Sequence, residues 1–147
     1  NNKTNNNQTD DSNRIISGDD KRCDEESELK AYQSLIKENI EYEYLLITYP
    51  TEKETIERIY ELIVETVMTS GEKILIASNW YPAELVRSKF LKLNYSHIEY
   101  VLDCFKKNTS KVKNIKKYML AALFNAPTTI DGYYKAEVNH DMPQFAV

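Results

Sequence analysis

The segment TEKETIERIYELIVETVMTSG, Thr51–Gly71, decides the fold class. Ile56, Ile59, Tyr60, Ile63, Val64 and Val67 follow the i, i+3, i+4, i+7 series that places one apolar stripe along an α-helix. Thr51 with Glu54 reads as a capping box at its start, and Gly71 as its stop. Upstream, Leu29, Tyr32, Leu35, Ile36 and Ile40 predict a first helix from Glu28, followed by a short apolar segment from Tyr42 to Ile47 that ends at Pro50. Downstream, Pro82 at a first-turn position predicts a helix with Leu85, Val86, Phe90 and Leu91, closing near Leu93 and Asn94. Ser96 with Glu99 makes a second capping box, for a helix with Ile98, Val101, Leu102 and Phe105 on one face and its end at Asn108. Ile115 to Ala126 predicts a further helix that becomes apolar all round after its first turn, as a central helix is, and Pro127 is expected to terminate it. In the tail, Thr128 to Val147, the spacing of Ile130, Tyr133, Tyr134 and Val138 suits a helix, whereas Gly132 and Pro143 oppose one. Lys73–Asn79 (KILIASN) could form a strand, but an isolated strand has no partner, so it is expected as an extended connection. The expectation is an all-α, compact multi-helix domain.

Composition narrows the function. The chain has 147 residues, a length for one domain, with only three Gly and four Pro. These are too few for a turn-rich β-sandwich, and neither GxGxxG nor GxxxxGK[ST] is present. The longest apolar run, Tyr118 to Phe124, falls far short of the roughly twenty residues that span a bilayer. The formal charge of −4 is unevenly spread. Residues 1–44 carry 11 acids and 6 bases, whereas residues 45–147 carry 12 acids and 13 bases. Between residues 85 and 118 nine bases face two acids, an excess of the kind that attracts phosphate or acidic partners.

Asn1 to Asn13 contains six Asn and no apolar side chain, so it cannot offset the entropy of ordering and is expected to be disordered. The acidic cluster Asp19, Asp20, Asp24, Glu25, Glu26 and Glu28 continues it. Residues 1–27 are therefore expected as an interdomain linker and 28–147 as a helical domain, with the chain cut from a longer one. The leader has neither a signal-peptide nor a transit-peptide pattern.

The search for reaction chemistry returns little. Cys23 and Cys104 are too few for a disulfide framework or a zinc site, which predicts a reducing compartment and makes the sequons at Asn94 and Asn108 chance matches. Cys104 is expected as a small core residue. His97 reads as a surface helix residue beside the Ser96 cap, and His140-Asp141 as half of a metal or acid/base pair without a supporting HExxH. No catalytic residue, metal ligand or cofactor site is expected, and no enzymatic activity.

Lysine placement is the feature that breaks a structural rule. Lys106, Lys107, Lys111, Lys113, Lys116 and Lys117 fill six of twelve positions with no acid among them. Lys106 and Lys107 end a helix, where positive charge suits the dipole. Lys113, Lys116 and Lys117 begin the next one, where the dipole disfavours each by roughly 0.3 to 1 kcal/mol. Free N–H groups beside lysines make an anion site, and a polynucleotide backbone would engage several such contacts at once. The alternative is a solvated basic face, or one paired with the acidic leader. Trp80, Tyr81, Phe90, Tyr95, Tyr100 and Tyr118 interleave with these bases. Core packing accounts for most of them, while Trp80 and Tyr81, on a loop entering a helix, are the candidates for aromatic recognition.

The stretch from Ile36 to Met142, most plainly FLKLNYSHIEYVLDCFKKNTSKVKNIKKYMLAALFNAP (Phe90–Pro127) followed by TTIDGYYKAEVNHDM (Thr128–Met142), resembles the C-terminal, DnaD-like domain of replication initiator protein A from plasmids and integrative elements of low-GC Gram-positive bacteria. The resemblance implies a cytoplasmic two-domain initiator. In that family an N-terminal winged-helix domain binds origin repeats, a polar linker follows, and the helical C-terminal domain engages replisome components and sometimes single-stranded DNA. DnaD domains that bind DNA carry a Tyr followed at four-residue intervals by Ile and Trp, whereas Tyr118 is followed by Ala122 and Ala126. The expected function is recruitment of a host replication protein, primase or helicase-loading machinery, to the origin. The alternative is a domain that holds single-stranded or duplex DNA through the lysine patch.

Overall fold

The computed structural model describes residues 22–108 and 112–141, with side chains up to residue 131. Contacts divide the chain into two units, residues 1–34 and 35–147. In the first unit, residues 22–34 are helical and Cys23 is exposed. The linker expected over residues 1–27 lies largely outside the described residues, and its last part, residues 22–27, is helical where disorder was expected. Arg22 to Glu28 holds no Gly, Pro or β-branched residue, so nothing in it opposes a helix.

In the second unit, residues 35–40 complete helix α1 (residues 22–40), and Ile36 and Ile40 are buried. Glu41, at a left-handed φ of 53°, turns the chain into α2 (Tyr42–Thr48), which buries Tyr42 and Leu45. A 3-10 turn, Pro50–Glu52, leads into α3 (Lys53–Val67). Ile56, Ile59, Ile63 and Val67 on α3 are fully buried, as their spacing predicts. The Thr51–Glu54 capping box does not form, and the position before α3 is Glu52, with no side-chain cap bond. Pro50, with its fixed φ, begins a turn early and leaves Thr51 inside it instead of at the helix boundary. The C-terminus also differs from expectation. α3 ends at Val67, short of Gly71, because Arg87 donates from Nε to the Val67 carbonyl (2.9 Å) and from Nη2 to that of Thr69 (3.3 Å). An arginine supplied by a later helix satisfies the orphan carbonyls that a glycine turn would otherwise serve.

The extended connection expected at Lys73–Asn79 is instead an antiparallel hairpin, β1 (Lys73–Ile76) with β2 (Asn79–Pro82). Ala77 (φ 51°) and Ser78 (φ 70°) form the two-residue turn, and positive φ at both positions is the mirror-image geometry that matches strand twist. The partner strand was hidden in Asn-Trp-Tyr-Pro. Ile76 is buried, and the Tyr81 ring packs at a tilt against Phe124 with centroids 4.6 Å apart, so the pair is held by tertiary packing.

Pro82 caps α4 (Ala83–Phe90) from outside its first turn, and Val86 and Phe90 are buried. Helix α5 (Tyr95–Asn108) buries Ile98, Val101 and Leu102. Helix α6 (Ile115–Asp141) buries Met119, Leu123, Phe124 and Ala126. Pro127 does not terminate α6 but lies inside it. A mid-helix proline costs about 3 kcal/mol. Helix α6 packs along α5, whose Asn108 donates to the Tyr118 hydroxyl (3.1 Å), and this tertiary packing offsets the cost. The described residues are thus mostly helical with one small sheet, which agrees with the all-α class. No described helix is long and apolar enough to cross a membrane.

Candidate partner-binding surface

The structure divides the lysine patch. Lys106 pairs with Glu52, whose side chain is 12% exposed and whose Oε2 is buried without a hydrogen-bond partner. Lys107 pairs with Asp103 one turn earlier (3.0 Å), and Lys116 crosses to Glu65 of α3 (2.9 Å). Lys113 and Lys117 are exposed and make no ion pair among the described residues, while Lys111 lies outside them. The start of α6 is also less open than expected for an anion site, because the Asn114 side chain accepts the Lys117 N–H (3.0 Å). An Asn at this position satisfies a donor that an anion would have used.

Trp80 and Tyr81 separate as well. Tyr81 is half-buried against Phe124, whose ring also lies 4.3 Å from the Lys89 ammonium. Trp80 is 63% exposed and lies directly opposite Leu75, itself 43% exposed. Alternation along both strands explains the split. Ile74, Ile76, Asn79 and Tyr81 share one face, whereas Lys73, Leu75, Trp80 and Pro82 share the exposed one. A groove of about 180 Å³ runs beside β1, lined by Leu75, Ile76, Ala77, Ser78, Lys117 and Leu120. It joins one unpaired lysine to the hairpin that carries the exposed tryptophan. The sequence pointed to Lys117 and Trp80 separately. Leu75 and Leu120 were missed, because Ile74-Leu75-Ile76 is an unbroken apolar run whose exposed and buried positions separate only in the strand.

The titratable groups outside this surface have structural work. Asn94 Oδ1 accepts the His97 N–H (3.1 Å), and His97 Nδ1 accepts the Asn94 N–H (3.0 Å), a reciprocal box at the start of α5. This replaces the expected Ser96–Glu99 box, since Asn94 precedes Ser96 and Glu99 is engaged elsewhere. Burial lowers the pKa of His97 from 6.5 against the opposing pull of Asp131, which favours the neutral ring whose Nδ1 accepts this bond. Glu99 accepts a short hydrogen bond from the Tyr49 hydroxyl. That bond, followed by burial and the Glu99 charge, pushes the Tyr49 pKa up to about 12. Cys104 is half-buried, and its carbonyl accepts from Asn108 (3.0 Å) and the Tyr118 hydroxyl (3.3 Å). The side chains of His140 and Asp141 lie outside the described ones. Among the described residues no three His, Cys, Asp or Glu side chains cluster as metal ligands would.

What the surface offers is contact chemistry: an exposed indole, an aliphatic groove and a cation. No curated protein and no solved structure matches the chain. Residues 9–144, which contain the hairpin, the groove and the lysine segment, match the model of a family of unknown function, DUF6017, and the chain belongs to that family.

Proposed function

We propose that this chain is the helical C-terminal interaction domain of a plasmid replication initiator, acting in the cytoplasm without catalysis to recruit a host replication protein, with primase or helicase-loading machinery as the candidates. The residues from Phe90 to Met142 that resemble replication initiator protein A support the context. The observation that carries a binding role is the Leu75–Trp80 pair, apolar and exposed beside Lys117. A large aromatic side chain left in water next to a groove is the pattern of an anchor residue at a protein interface. The experiment is binding of purified host primase and helicase loader to the chain, with Trp80→Ala and Lys117→Glu as variants. Loss of binding in either variant supports the reading, and failure of both host proteins to bind the parent chain overturns it.

A second reading, direct DNA binding, is favoured by two exposed lysines, Lys113 and Lys117, that make no ion pair among the described residues. It predicts affinity that falls steeply with salt and is lost when Lys113 and Lys117 become Glu. Absence of DNA binding at low salt removes it.

A further inference from the structure

The hairpin has one edge, β1, whose outward main-chain groups are unpaired among the described residues and whose Lys73 and Leu75 are exposed. Its two-residue turn makes Ile76 and Asn79 the first hydrogen-bonded pair, so Ile74 and Tyr81 are the next. The bond from Ala83 N–H to the Glu72 carbonyl (2.9 Å) continues that alternation. Lys73, Leu75, Trp80 and Pro82 therefore direct their main-chain groups away from the hairpin. On β1, the N–H and C=O of Lys73 and Leu75 find no partner among the described residues. On β2, Pro82 has no N–H to offer, which spoils that edge for strand addition. The groove lined by Leu75, Lys117 and Leu120 follows the β1 side.

We propose that the β1 edge takes an extended peptide of alternating acidic and apolar residues as a third strand of the sheet. Its main chain pairs with Lys73 and Leu75, its apolar side chains lie on Leu75 and Leu120, and a carboxylate meets Lys117. Strand addition draws affinity from the main chain and specificity from alternate side chains, which are the two elements present here. A polynucleotide backbone has no N–H donors with which to satisfy the Lys73 and Leu75 carbonyls, so the edge selects peptide. A second copy of β1, Lys-Ile-Leu-Ile, brings no acid to Lys117. The inference rests on the reading that this surface recruits a protein, and specifies how.

Trp80 is the only tryptophan in the chain, so its emission reports on the hairpin directly. The probe is a synthetic heptapeptide of alternating Glu and Val, compared with its Lys/Val counterpart and with two forms N-methylated either on the Val amides or on the Glu amides. The Glu/Val peptide is expected to shift Trp80 emission saturably and to slow exchange of the Leu75 amide. The Lys/Val peptide and one of the two N-methylated forms are expected to bind about tenfold more weakly or worse. Lys117→Glu, a change at an exposed side chain, is expected to reverse the preference to Lys/Val. Equal binding of both N-methylated forms, no binding of the Glu/Val peptide, or emission shifted by oligothymidylate but not by peptide would each overturn the proposal. If primase or helicase loader binds and the Glu/Val peptide does not compete, strand addition fails while recruitment stands. If the peptide binds as expected and neither host protein does, recruitment fails while the docking edge stands.

Discussion

The two faces of the β1–β2 hairpin use the same kinds of side chain to opposite ends. On the inner face Ile76 is 2% exposed and Tyr81 rests on Phe124, whereas on the outer face Leu75 and Trp80 stand in water one residue along the same strands. A one-residue shift along a strand moves a side chain from one face to the other, so hydrophobicity alone does not reveal which face a residue serves. The inner face holds the hairpin on α6. On the outer face Leu75 and Trp80 stay exposed among the described residues, and this makes them available to a partner.

Substitutions test this division in order of size. Ile76→Ala should be the largest, costing about 2 to 4 kcal/mol through the cavity it leaves, measured by chemical denaturation. A loss below about 1 kcal/mol would mean that the inner face is not a packed anchor. Replacing Ala77-Ser78 with Asn-Gly should act in the other direction, raising stability by about 1 kcal/mol because both positions already have the positive φ those residues accept. Trp80→Ala should change stability by no more than about 0.5 kcal/mol while removing partner binding, and a larger fall in the denaturation midpoint would place Trp80 with the anchoring face. Smallest is a pH effect from which both faces should be exempt. Because burial depresses the folded-state pKa of His97 below 6.5, the unfolded chain takes up that proton first as pH falls. Its stabilisation is complete above about pH 6.5 and is lost as pH drops through the lower, folded-state value. Thermal midpoints across this range should lose that dependence in His97→Gln and keep it in Trp80→Ala.

Helices whose apolar spacing is dense were legible from sequence. α3 and α5 bury the residues that periodicity selected, Ile56, Ile59 and Ile63 in one and Ile98, Val101 and Leu102 in the other. The boundaries were less so, because their signals compete with contacts from distant parts of the chain. Arg87 ends α3 from twenty residues away, Asn94 outcompetes Ser96, and packing against α5 carries α6 through Pro127. The hairpin escaped notice for a chemical reason. Its turn is Ala-Ser, which lacks the Asn-Gly signature, and its second strand, Asn-Trp-Tyr-Pro, ends in a residue that usually opposes sheet. At the candidate surface, residue type identified Lys117 and Trp80 but could not tell them from Lys106, Lys107 and Lys116. Lys107 is neutralised by Asp103 one turn before it, whereas Glu52 and Glu65, the partners of Lys106 and Lys116, lie more than 50 residues away in sequence and come close only in the fold.

The left-handed turn at Ala77-Ser78 also sets an order of events. Two short strands joined by a turn that its residues resist are marginal alone, and the hairpin acquires its floor only when Phe124 arrives beneath Tyr81. Synthesis runs from the N-terminus, so Lys73–Pro82 leaves the ribosome before any of α6. During that interval the edge does not yet exist in usable form. A chain truncated before α6 should accordingly leave β1 and β2 without the packing that holds them paired.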